Sequence, residues 1–88
     1  MFNTKGEWIA ESANPIIDRK IRKVRELAKP DISVEELRVA LGYFTKNPIT
    51  NDDGLIGRGL VLAVKIGNRY DIDAESVINY LKTLSSNI

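Results

Sequence analysis

Five acidic side chains in the second half of the chain have the types and spacing to do chemistry: Asp52, Asp53, Asp71, Asp73 and Glu75. The pattern Asp71-x-Asp73-x-Glu75 is similar to the first residues of a calcium-binding loop, where alternate carboxylates supply oxygen ligands. The glycine and the later glutamate of such a loop are missing, so the pattern predicts no metal site. The same acids suit helix starts, where carboxylates accept backbone N–H bonds and face the positive end of the helix dipole.

A second group of candidate residues is basic and lies in residues 19–29, where Glu26 is the only acid. Its members are Arg19, Lys20, Arg22, Lys23, Arg25 and Lys29. Bases along one helix can neutralise phosphates and give salt-dependent binding to nucleic acid. This makes Arg19, Arg22 and Lys23 candidate nucleic-acid ligands. A solvated helix face is the alternative explanation of the same charges.

The composition excludes several classes of enzyme. The 88 residues contain no cysteine and no histidine, which excludes thiolate nucleophiles, imidazole bases and metal sites built from either residue. Gly54, Gly57 and Gly59 are not followed by the Lys-Ser/Thr pair of a phosphate-binding loop. We therefore predict a non-enzymatic protein without a cofactor or metal. No apolar run has the length of a membrane span or the pattern of a signal peptide, so the expected location is the cytoplasm.

Helix signals dominate the chain. Asn14-Pro15 predicts the start of a helix whose apolar positions include Ile17, Ile21 and Val24, and which ends before Pro30. A shorter helix is expected at residues 7–13. In the next helix, Ser33 and Glu36 form a capping box, and the apolar stripe runs to Phe44. Asn47-Pro48 is expected to end that helix.

Two similar segments, residues 31–41 and 71–81, each combine a capping residue, early acids and an apolar stripe. The identical pairs are Asp31/Asp71, Ile32/Ile72, Glu35/Glu75 and Leu41/Leu81. The second copy predicts a last helix that begins at Asp73 and runs to about residue 84. Residues 50–68 are ambiguous. We favour a helix, because Gly59, Ala63 and Gly67 would form a groove of small residues and a strand at 60–66 has no evident partner. The fold prediction is a single all-α domain over residues 1–88, a compact bundle of four to five short helices.

Residues 33–48 include Ser33, Glu35, Glu36, Phe44 and Pro48, and this stretch is similar to the second helix of the nuclease-colicin immunity proteins. The resemblance implies a small, cytoplasmic four-helix protein that binds and blocks a toxin. We therefore predict an immunity- or antitoxin-like inhibitor whose five acids contact a basic nuclease toxin through complementary charge. The alternative is a helix-turn-helix-like regulator that binds nucleic acid through the basic helix 16–29. A second copy of the chain is a further candidate partner, and a membrane is not.

Overall fold

The computed structural model describes residues 1–86, which form four helices and three strands. The helices are α1 (Pro15–Glu26), α2 (Val34–Leu41), α3 (Asn47–Thr50) and α4 (Ala74–Ser86), and the strands are β1 (Asp31–Ile32), β2 (Ala63–Ile66) and β3 (Arg69–Asp73). The strands make one antiparallel sheet in the order β1–β3–β2. The prediction of an all-α helical bundle is therefore wrong, because the fold is mixed and has a small sheet beside its helices. Within residues 1–86, no helix combines the length and apolar character that a membrane crossing requires.

The sheet is built largely from the segment that we expected to be a helix. Strand β2 pairs with β3, with Val64 opposite Asp71 and Ile66 opposite Arg69. Gly67 follows β2 with a φ of 63°, which suits the first central position of a type II′ hairpin turn. The β-branched residues and this turn outweigh the helical spacing of small residues. Strand β3 was not predicted from the sequence, because its acidic residues have low strand propensity.

The two similar segments follow the same course of strand, cap and helix. Ile32 of β1 lies opposite Ile72 of β3, and both side chains are buried. The predicted capping box is confirmed: Glu36 N–H donates to Ser33 Oγ, and Ser33 N–H donates to the Glu36 carboxylate, both at 3.0 Å. At the second helix start, Ser76 N–H donates to Asp73 Oδ2 at 2.9 Å. Each copy therefore places one strand isoleucine and one helix against the same core.

One apolar cluster joins the helices to the sheet. Ile21 of α1, Leu37 of α2, Ile72 of β3 and Val77 of α4 are completely buried within it. Helix α1 packs against both α4 and α2, and the sheet lies against α2 and α4. The buried stripe of α1 thus turns the basic positions of that helix toward its flanks.

Three local predictions are also wrong. Residues 7–13 form no helix, and Trp8 instead pairs with Phe2 in an isolated β-bridge. Helix α2 ends at Gly42, whose φ of 77° is left-handed, so Phe44 lies outside the helix and is fully exposed. Pro48 does not end a helix but lies in the first turn of α3. The four-helix arrangement implied by the resemblance to immunity proteins is therefore not the one this chain adopts.

Candidate nucleic-acid interface

Helix α1 positions the basic residues. Its start is fixed by Asn14, whose Oδ1 accepts the N–H groups of Ile16 and Ile17 at 3.0 and 3.2 Å. Ile17, Ile21 and Val24 then form the buried face that was predicted from their spacing. Because this face is covered by α2 and α4, the bases can point only along the two flanks or to solvent.

Three bases share one flank. Arg19, Lys20 and Lys23 line a groove of about 150 Å³ between α1 and the C-terminal end of α2, whose remaining lining residues are Ile16, Ala40, Leu41 and Gly42. We call this the α1–α2 groove. None of the ion pairs within residues 1–86 includes these three bases. The groove therefore brings together three positive charges, none of which is directly paired with an acid of residues 1–86.

Arg22 points away from the α1–α2 groove. Its guanidinium carbon lies 5.9 Å from the ring centres of both Phe2 and Trp8, and its Nε lies 3.9 Å from Glu26. The structure therefore divides the predicted set, because Arg19 and Lys23 lie at the groove and Arg22 does not. Lys20 lines the groove but was not among the three predicted nucleic-acid ligands. Helical spacing could have identified it, because Lys20 and Lys23 are three residues apart and share a face.

The aromatic pair beneath Arg22 is held by Asp18. Trp8 Nε1 donates to Asp18 Oδ2 at 2.9 Å, and the backbone N–H groups of Glu11 and Ser12 donate to Oδ1 at 2.7 and 3.2 Å. Burial opposes ionisation of Asp18, but these hydrogen bonds outweigh it and lower the pKa of the carboxyl. Asp18 thus anchors the N-terminal segment to α1, which explains why Arg22 meets aromatic rings there.

Arg25 is the centre of an ion cluster rather than an unpaired cation. Its Nε and Nη2 donate to the Glu11 carboxylate, both at 2.9 Å, and its Nη1 donates to Glu75 at 2.9 Å. Glu11 also lies 2.9 Å from the amino group of Met1 and 3.1 Å from Lys82 Nζ. The hydrogen bonds from Arg25 hold the pKa of Glu11 far below its ordinary 4.5, against the opposing effect of burial. The same bonds raise the pKa of Arg25.

The five predicted acids differ in their partners. Asp73 caps α4, Glu75 binds Arg25, and Asp71 lies 3.9 Å from Arg69 Nε. Asp52 and Asp53 are exposed in the loop after α3 and take part in no ion pair within residues 1–86. In the same part of the chain, no three acidic side chains converge in a way that could hold a metal ion. Two of the five acids, Asp73 and Glu75, therefore have structural roles as a helix cap and an ion-pair partner.

Comparison of the chain with protein-family models, with curated proteins and with solved structures finds no significant match. What the chain does must therefore be inferred from its own surfaces.

Proposed function

We propose that the chain binds the phosphate backbone of nucleic acid through the α1–α2 groove. One observation supports this best: Arg19, Lys20 and Lys23 meet at a single groove and have no acidic partner within residues 1–86. Bases that are not neutralised by carboxylates can replace the counterions of a phosphate backbone, and the release of those counterions drives binding. The bases with acidic partners, such as Arg25 and Lys29, would first have to break those contacts.

Contacts of this kind do not read sequence. Phosphate and sugar contacts position a protein on nucleic acid, whereas base-edge contacts provide specificity. The groove offers long, flexible basic side chains above apolar residues of α1 and α2, and within residues 1–86 no other polar side chain lines it. Binding should therefore be strongly dependent on salt and weakly dependent on sequence.

The order and lengths of the helices bear on the alternative prediction of a helix-turn-helix-like regulator. A helix-turn-helix unit in either of the two similar segments would place α2 or α4 in the groove of the nucleic acid, and both helices have acids in their first turn. Helix α4 follows strand β3 directly, whereas α2 is followed by α3 after a turn that begins at Gly42. Helix α3 has no acid in its first turn, but its four residues give a single turn of helix. A recognition helix presents several side chains to base edges, and the single turn of α3 is too short for that role.

The test is the salt dependence of binding to a fluorescently labelled DNA duplex and a labelled single-stranded RNA, measured by anisotropy. The test variant combines Arg19→Gln, Lys20→Gln and Lys23→Gln. The slope of log K against log salt is negative, and each lost phosphate contact makes it shallower by about 0.9 on duplex DNA. The slope of the variant should therefore be shallower than that of the wild type by about 2–3. Wild-type protein that fails to bind either probe at about 50 mM salt would refute the proposal.

A matched control removes the same charge elsewhere. Lys5, Arg58 and Lys65 are exposed, lie outside the α1–α2 groove and appear in no ion pair within residues 1–86. The combined change to glutamine at these three positions should leave most of the affinity and slope in place. Equal losses in the two variants would mean that net charge, rather than the groove, determines binding.

The toxin-inhibitor role stays a prediction. Asp52 and Asp53 are the acids best able to serve it, because Asp73 and Glu75 have structural partners. Replacing Asp52 and Asp53 with lysine would test that role without disturbing the cap of α4. Weaker binding to a basic nuclease, most marked at low salt, is the outcome that this role requires.

A further inference from the structure

Strand β2 is an edge strand with an apolar outer face. The sheet order β1–β3–β2 leaves one side of β2 without a paired strand in the described part of the chain. Leu62, which directly precedes the strand, and Val64 and Ile66 within it are 67%, 64% and 48% exposed. Proteins usually protect such edges, because unpaired backbone groups beside apolar side chains are a template for another strand.

The hairpin determines which backbone groups of β2 are free. In a two-residue hairpin the residues that flank the turn, here Ile66 and Arg69, form a hydrogen-bonded pair, and such pairs alternate along the ladder. Consistent with this alternation, Asp73 N–H donates to Leu62 O at 2.8 Å. The backbone groups of residues 64 and 66 and the C=O of Leu62 therefore face β3, whereas the N–H of Leu62 donates to Ser76 Oγ at 2.9 Å. The backbone groups of Ala63 and Lys65 face outward from the edge.

We propose that two copies of the chain pair through β2, antiparallel and about a two-fold axis at Val64. In this register Ala63 of each copy lies opposite Lys65 of the other copy. Both are residues with outward-facing backbone groups, so every free N–H and C=O of these pairs finds a partner. Val64 meets Val64 of the second copy at the axis as a non-hydrogen-bonded pair. The two sheets join into one of six strands.

The side chains along the edge also suit pairing with a second copy in this register. The same register places Leu62 opposite Ile66 of the second copy, so apolar side chains meet along the whole outer face. Lys65 points to the other face, where its Nζ lies 5.8 Å from the Tyr70 ring centre, and its cross-strand neighbour is the small Ala63. No like charges are directly opposed, a juxtaposition that would destabilise the pair. The edge is thus complementary to itself, as a two-fold interface requires.

This interface is separate from the proposed nucleic-acid surface. The α1–α2 groove is formed by two helices, and α1 packs against α2 and α4 rather than against β2. Pairing through β2 uses none of the residues that line the groove. Dimerisation and nucleic-acid binding can therefore succeed or fail independently.

A single-cysteine experiment tests both the partner and the register, because the natural chain contains no cysteine. Residues facing each other in a non-hydrogen-bonded pair have Cα atoms about 4.5 Å apart, within the range for a disulfide. Val64→Cys should therefore form a covalent dimer rapidly under mild oxidation. Leu62→Cys should not, because its two copies would be about 14 Å apart along the joined strands. Equally rapid cross-linking by Leu62→Cys, or none by Val64→Cys, would overturn the proposed register.

Reversible association provides the second readout. Sedimentation velocity over a range of concentrations should show a monomer–dimer equilibrium for the wild type. Val64→Lys places two like charges at the axis, whereas its neighbour on β3, Asp71, is acidic, so the variant should raise the dimer dissociation constant at least about tenfold without opposing the hairpin. Val39→Lys is the matched control, since Val39 is 56% exposed on α2, and it should leave the constant unchanged. A wild type that stays monomeric up to about 1 mM, or equal effects of the two variants, would refute the interface.

Discussion

Replacing Glu11 with glutamine should destabilise the protein by about 2–4 kcal/mol at neutral pH. Glu11 lies in the N-terminal segment, and its side chain is only 9% exposed among three cationic groups. The contact with Arg25 carries most of the effect, because hydrogen bonds to charged partners contribute about 1.5–3 kcal/mol. The contacts with the Met1 amino group and Lys82 involve more exposed partners, so each adds less than about 1 kcal/mol.

The same variant should change how stability depends on pH. Hydrogen bonding to Arg25 lowers the pKa of Glu11 in the folded state below its ordinary 4.5. The unfolded chain therefore takes up this proton first as the pH falls, and the contribution of Glu11 is complete only above about pH 4.5. The difference in unfolding free energy between wild type and Glu11→Gln should be constant near neutral pH and shrink steadily below pH 4.5.

Urea unfolding followed by circular dichroism at pH 7, 5, 4 and 3 would measure this difference. Glu26→Gln is the control, because Glu26 is exposed and lies 3.9 Å from its partner Arg22. That change should cost less than about 0.5 kcal/mol at every pH. A cost below about 1 kcal/mol for Glu11→Gln at pH 7, or a difference that does not change with pH, would refute the reasoning.

Two further predictions concern the core and the caps. Leu41→Ala and Leu81→Ala should each cost about 2–4 kcal/mol in urea unfolding, because both leucines are buried and truncation leaves a cavity; costs below about 1 kcal/mol would show that these sites relax without a cavity. Ser33→Ala should cost about 1 kcal/mol by removing the acceptor of the Glu36 N–H in the capping box, and thermal unfolding that matches the wild type would contradict the role of this cap.

The starts of α1, α2 and α4 were predictable from sequence because their causes are local. Asn14, Ser33 and Asp73 cap helices through hydrogen bonds to residues two or three positions away. The sheet was not predictable in the same way. Leu62, Val64 and Ile66 are apolar but exposed, so the expected alternation of polar and apolar residues is absent from β2. Its position became evident only through pairing with β3.

The candidate site was predicted only in part, because some of its features are local in sequence and others depend on distant contacts. Arg19 and Lys23 follow from the helical spacing of α1 alone, and both line the groove. Arg22 is turned away by Phe2 and Trp8, which reach it from the N-terminal segment through contacts distant in sequence. Asp73 and Glu75 look like a charged patch in the sequence, but a helix cap and Arg25 engage them.

The central position of β3 has a consequence for the order of folding. Its pairing with β2 closes a turn of two residues, whereas its pairing with β1 brings together positions about 40 residues apart, Ile32 and Ile72. Closing the longer loop costs more entropy and takes longer, so the hairpin should form before β1 arrives. Until then β3 has an unpaired edge of its own beside that of β2. Newly made chains would thus pass through a state in which the five-residue strand β3 is open as well as β2, and aggregation competes with folding there.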